Sequence, residues 1–140
     1  MMIDQEILQG FCEETEQLLN ELSEISDEFE DSNDTTLLEK FGQVIDRIMG
    51  AAYTLELSEI GHFCELGKKI GYKSSQVDDT KLIALTGPIL CDTTEILRSM
   101  IDGLKNQESY PDKEAINAFA TRLEWFLDKF QDVKRATTNS

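Results

Sequence analysis

A chain of 140 residues is long enough for one hydrophobic core, and its 40% apolar and 29% charged residues are ordinary for a soluble globular domain. The formal net charge of −15 argues against nucleic acids and anionic membranes as partners, because binding either one requires basic residues that displace counterions. The sequence has no apolar run that could span a bilayer. It also does not open with the basic segment and following apolar segment that are typical of a signal peptide, so we expect a cytoplasmic location.

Apolar residues recur at helical spacing along most of the chain, and no segment alternates as a strand does. The first predicted helix runs from about Asp4 to Phe29 and is followed by a turn in which Asp34 or Thr35 can cap the next helix. The other helices are predicted over about 36–55, from 58 until the pattern loses definition at 71–75, over 79–104 and over 112–133. Pro88 lies inside the fourth helix, where we expect a kink or a break.

Each predicted helix has one apolar stripe to bury, and most connections are short. These features predict an all-α fold, an antiparallel helical bundle, as a single domain over residues 1–135 with a loop over 105–112 and a frayed tail over 136–140.

The acidic residues are concentrated at the start of the chain. Residues 1–39 contain 13 of the 28 acids and no Lys or Arg, whereas the remaining 101 residues contain 15 acids and 13 bases. A solvated helix face accounts for such a run, and electrostatic steering of a basic partner is the alternative.

Cys12, Cys64 and Cys91 are odd in number, far apart and embedded in helical patterns, with His62 as the one histidine. We therefore expect three reduced cysteines in the core, with no metal site and no cofactor.

The second predicted helix has one polar side. At 100° per residue, its outward-facing residues form a stripe, called the α2 stripe below: Glu39, Gln43, Asp46 and Gly50. Met49 and Tyr53 flank this stripe. A glycine inside a helix costs about 1 kcal/mol relative to alanine. Since core packing does not explain an outward-facing glycine, Gly50 suggests that another molecule approaches the backbone closely.

The sequence from Asp46 to Ala52, D-R-I-M-G-A-A, resembles the H-x-x-K-G-x-A/S motif of histidine phosphotransfer (HPt) domains. The acidic first helix, and the continuation into Leu55-Glu56-Leu57, are similar to HPt domains at the N-terminus of chemotaxis histidine kinases. The resemblance implies a four-helix bundle of HPt type with an additional C-terminal helix. It also implies that the glycine at position 50 leaves room for a response-regulator receiver domain.

The chain departs from the family at three positions. Asp46 stands where the phosphoacceptor histidine should be, Met49 replaces the lysine, and Glu56 replaces the glycine of an L-G-L turn, which puts the geometry of that turn in question. A carboxylate lacks the nucleophilic imidazole nitrogen, and the missing lysine removes the nearest cation that could attract phosphate. We therefore expect no phosphotransfer through Asp46.

The resulting hypothesis is a non-phosphorylatable HPt-like module that docks a receiver domain or a histidine kinase component. The expected partner-binding residues are these: Gln43, Asp46, Met49, Gly50 and Tyr53.

Three alternatives remain open at this stage. The acid and amide pair Glu39 and Gln43, or Gln43 with Asp46, resembles the residues of chemotaxis response-regulator phosphatases. The bundle could instead be a scaffold that forms homodimers through its first or fourth helix. His62 could be a relocated phosphoryl acceptor, although it lacks the H-x-x-K-G spacing. The sequence leaves open whether the chain acts alone or belongs to a longer kinase.

Overall fold

The computed structural model describes residues 4–106 and 113–138, with side chains as far as Phe130. The described residues form five helices and no strand, which confirms the predicted all-α class. Their bounds are as follows: α1 Gln5–Ser32, α2 Thr36–Thr54, α3 Ser58–Ser74, α4 Thr80–Lys105 and α5 Lys113–Thr138. Most of the predicted loop, 107–112, lies outside the described residues, as do 139 and 140 of the predicted tail. Helix α5 includes 136–138, which the sequence assigned to that tail.

The first four helices contact one another in a ring. Helix α1 packs against α2 and α4, and α3 packs against the same two helices. In the parts of the chain that the structure describes, the backbones of α1 and α3 do not come close to each other, and neither do those of α2 and α4. Helix α5 lies outside this ring, packed mainly on α3. The core therefore lies between the four helices, with a second apolar layer under α5.

The inward face of α2 is the one that the helical spacing predicts. Phe41, Ile45 and Ile48 are completely buried, and Ala52 continues the same face one turn later. Burial of a large apolar side chain contributes about 1.5–3 kcal/mol relative to leaving it exposed. This face therefore holds α2 in one rotational orientation and turns the opposite face outward.

Helix α4 runs through Pro88 without a break, which leaves a kink as the remaining expectation at this position. Pro88 removes the N–H that would otherwise reach the carbonyl of Ala84. Both residues are exposed, so water can satisfy that carbonyl.

Helices α2 and α3 form the most extensively packed pair, and glycines bring them close. A Cβ atom on Gly71 would lie 2.9 Å from the carbonyl oxygen of Leu38 and 3.0 Å from the backbone nitrogen of Gly42. Near the turn, a Cβ on Gly61 would lie 2.6 Å from the ring of Tyr53. The two helices therefore pack backbone against backbone at one end and ring against backbone at the other.

In the turn between α2 and α3, a residue other than glycine has the left-handed backbone conformation. Glu56 has a φ of 61°, in the left-handed region. The N–H of Leu57 donates to the carbonyl of Ala52 at 2.8 Å, and the N–H of Glu56 donates to the carbonyl of Tyr53 at 3.0 Å. This pair of bonds is the Schellman motif, which usually places glycine where Glu56 stands. Glu56 therefore occupies, in the left-handed conformation, the position of this motif that glycine usually takes.

Candidate functional site

The α2 stripe faces outward along its whole length. Glu39, Gln43 and Gly50 are exposed, and the side chain of Asp46 retains 42% of its accessible surface. This orientation follows from the burial of the opposite face of α2. The stripe is therefore accessible to a partner.

Asp46 is paired with a lysine from the neighbouring helix. The Nζ atom of Lys68 on α3 lies 2.9 Å from Oδ1 of Asp46. The hydrogen bond to this carboxylate raises the pKa of Lys68 above its ordinary value, against the opposing effect of burial. The expectation that Asp46 lies without a nearby cation was therefore wrong, because α3 supplies one.

Sequence reasoning missed Lys68 because the lysine of the family motif is sought on α2. The available signal was the short α2–α3 connection. In an antiparallel helical hairpin, residues about equally distant from the turn face each other, as Tyr53 and Gly61 do near the turn and Gly42 and Tyr72 do far from it. The same register brings Lys68 to Asp46.

The surface around Gly50 is open. No atom of a neighbouring helix or side chain lies within 4 Å of the place where a Cβ atom would be. The carbonyl of Gly50 accepts a hydrogen bond from the hydroxyl of Thr54 at 2.9 Å, so it is already satisfied without a partner. The glycine therefore leaves a shallow gap in the side-chain layer one turn from Asp46.

The two residues that flank the α2 stripe have different environments. Met49 is partly buried and packs against the core. Tyr53 is 41% exposed, with its ring over Gly61 and its hydroxyl donating to Oε2 of Glu65 at 3.3 Å. Partial burial and the nearby Glu65 carboxylate both raise the pKa of Tyr53, so the phenol stays protonated. Of the two, Tyr53 offers the larger apolar surface to a partner.

Glu39 and Gln43 lie on the α2 stripe but are not held in place by other side chains. Within the described part of the chain, neither side chain makes a hydrogen bond or an ion pair. Asp46, the acid of the alternative pair with Gln43, is already engaged by Lys68. The acid that is fixed in position on this stripe is therefore Asp46.

His62 lies on a different part of α3. Its side chain is 61% exposed, and Nδ1 lies 3.9 Å from Oε2 of Glu65. It lines a small cavity of about 70 Å³ between α3 and α5, together with Phe63 and Ile116. The imidazole is thus accessible to solvent and adjoins α5, whereas Asp46 lies on the α2 side of the α2–α3 pair.

The cysteines are reduced, but only two of them lie in the core. Cys12 and Cys64 are buried, and burial raises the pKa of both thiols. Cys91 is partly buried, with its sulfur 3.9 Å from the carboxylate of Glu30, so its assignment to the core was wrong. In the described ranges, no group of three or more His, Cys, Asp or Glu side chains could hold a metal ion. No described helix has the length and apolar character needed to cross a membrane.

In comparisons with known proteins, no family model matches this chain, and no curated protein or solved structure is detectably similar to it. The resemblance to HPt domains therefore depends on the motif residues of α2 and the turn that follows them.

Proposed function

We propose that this chain is an HPt-like signalling module that docks a response-regulator receiver domain through the α2 stripe and does not accept a phosphoryl group. We further propose that its fold is an antiparallel four-helix bundle of HPt type with an additional C-terminal helix. The ring of contacts among α1, α2, α3 and α4, with α5 packed outside it, supports this arrangement.

The observation that carries the proposal is the open space at Gly50. The glycines at positions 42, 61, 67 and 71 are explained by neighbouring atoms that a Cβ would approach within 3.0 Å or less. Gly50 has no such neighbour, and neither does Gly10 of α1, although each lies inside a helix, where alanine would be more stable by about 1 kcal/mol. Gly50 differs from Gly10 in lying on the α2 stripe, one turn from Asp46 and one turn from the exposed Tyr53. A partner that needs the gap explains why a less favourable residue stands there.

The chemistry beside the gap favours docking over phosphoryl transfer. Asp46 has no imidazole to form a phosphoramidate, and its carboxylate is held by the Lys68 ammonium group. An attacking carboxylate would have to give up this ion pair and approach a phosphoryl group that is itself negatively charged. Tyr53, exposed one turn beyond Gly50, is the kind of aromatic side chain that anchors protein interfaces.

The test measures the binding of purified receiver domains to the chain by calorimetry. Gly50→Arg fills the gap and is expected to abolish binding. Gly10→Arg is the matched control, because Gly10 also lies in a helix, is exposed and has no atom within 4 Å of its Cβ position. Equal binding by both variants, or binding by neither variant nor the unaltered chain, would refute the proposal.

Mixtures of the chain with receiver domains that carry a labelled phosphoryl group decide between docking and the alternatives. If the chain shortens the lifetime of the receiver aspartyl phosphate and Gln43→Ala removes this effect, the protein is a phosphatase. If labelled phosphate appears on His62, the module transfers phosphoryl groups by a relocated acceptor. If the chain binds no receiver or histidine kinase component and sediments as a dimer, the scaffold hypothesis replaces the proposed one.

A further inference from the structure

A second apolar surface lies between α4 and α5, away from the α2 stripe. Helix α5 packs mainly on α3 and touches α4 at few places, which leaves a groove of about 380 Å³. Its apolar lining comes from Ile89 of α4 and from Phe119, Leu123 and Phe126 of α5. In the described residues, the backbones of α4 and α5 do not come close to that of α2, so this groove and the α2 stripe can be tested separately.

The groove continues onto exposed apolar side chains. Trp125, the single tryptophan of the chain, lines it while remaining 65% exposed. Leu85 is also exposed and lies one helical turn before Ile89, on the same side of α4. Isolated exposed apolar residues are common, but a tryptophan and a leucine beside an apolar groove are typical of an interaction site.

The polar residues that line this groove are basic. Arg122 and Lys129 lie about two turns apart on α5, with Trp125 between them, and none of the carboxylates that the structure describes lines the groove. Neither cation forms an ion pair within the described part of the chain, and the Arg122 guanidinium lies 5.6 Å from the centroid of the Phe119 ring. In a chain with a net charge of −15, these two cations make the groove locally basic, so it favours an acidic occupant over a basic one.

We propose that the α4–α5 groove binds an amphipathic helix of another protein whose apolar stripe is flanked by carboxylates. The apolar residues of that helix would cover Trp125 and the groove, and its acidic residues would pair with Arg122 and Lys129. This arrangement is helix-in-groove recognition, in which apolar anchors supply affinity and charges supply selectivity.

The test uses two designed peptides and the full chain. Both peptides are helices of about 18 residues with leucines at helical spacing, one with glutamates beside the leucines and the other with lysines there. Labelled-peptide anisotropy measures affinity, and the emission of Trp125 reports whether the groove is covered. We expect the acidic peptide to bind at least about tenfold more tightly at low salt, with a blue shift of the emission and a smaller difference at high salt.

Variants then assign the charge selectivity to the groove. The double substitution Arg122→Glu and Lys129→Glu is expected to reverse the preference between the peptides. Lys40→Glu with Arg47→Glu changes the net charge by the same amount on exposed positions of α2 and is expected to leave the preference unchanged. Circular dichroism confirms that each variant is folded.

Three results would overturn the proposal. The first is that the chain binds both peptides equally or binds neither of them. The second is a preference between the peptides that the groove variant does not alter. The third is a blue shift of the Trp125 emission that rises with protein concentration in the absence of peptide. The last result would identify a second copy of the chain as the occupant.

Discussion

The turn between α2 and α3 contains a residue whose backbone conformation conflicts with its side chain, and Glu56→Gly removes this conflict. Glu56 has a φ of 61° at the position of the Schellman motif that glycine usually occupies. Its backbone N–H bonds to Tyr53, but its side chain makes no hydrogen bond or ion pair in the described structure. Replacing it by glycine therefore changes the conformational free energy of the turn and removes no contact.

Two opposing effects set the size of the expected change. An L-residue in the left-handed conformation costs about 1–2 kcal/mol relative to glycine. Glycine makes the unfolded chain more flexible, which offsets about 0.4–1 kcal/mol of this gain. We expect Glu56→Gly to raise the free energy of unfolding by about 0.5–1 kcal/mol, which corresponds to roughly 2–4 °C in Tm for a chain of this size.

Urea unfolding followed by circular dichroism measures this change, and Glu56→Ala is the control. Alanine removes the carboxylate but keeps the Cβ atom, so it is expected to leave the stability nearly unchanged. A Glu56→Gly variant that is less stable than the unaltered chain would refute the reasoning. So would a Glu56→Ala variant that is stabilised equally, because the charge of the side chain and not the backbone would then be the cause.

Three further predictions use the same unfolding measurement or chemical labelling. Gly71→Ala should lower the free energy of unfolding by about 1–3 kcal/mol, because its Cβ meets the α2 backbone, whereas Gly50→Ala should raise it by about 0.5–1 kcal/mol; equal effects would contradict the packing. Lys68→Met should be destabilising from neutral pH to about pH 10. Because the pKa of Lys68 is raised in the folded chain, the difference in free energy of unfolding between this variant and the unaltered chain should shrink as the pH rises above the ordinary value of 10.5. A difference that persists would exclude the ion pair as its cause. Iodoacetamide should label Cys91 in the folded protein and Cys64 only after unfolding, as mass spectrometry can show; early labelling of Cys64 would contradict its burial.

Local sequence patterns were sufficient to predict the helices and to predict which face of α2 is turned outward. The spacing of Phe41, Ile45 and Ile48 depends on 3.6 residues per turn, a property of one helix taken alone. The same periodicity turns Asp46 and Gly50 away from the core, so the exposure of the α2 stripe could be deduced without knowing any neighbour. Local pattern also predicted the all-α class.

The tertiary structure decided which groups meet. Lys68 reaches Asp46 because glycines bring α2 and α3 together in one register, and the left-handed Glu56 is fixed by the turn that this register requires. The groove beside Trp125 exists because α5 packs on α3 and leaves much of α4 uncovered. Such pairings join residues far apart along the chain, and their free energy depends on how whole surfaces fit together. Periodicity within one helix therefore contains no information about them.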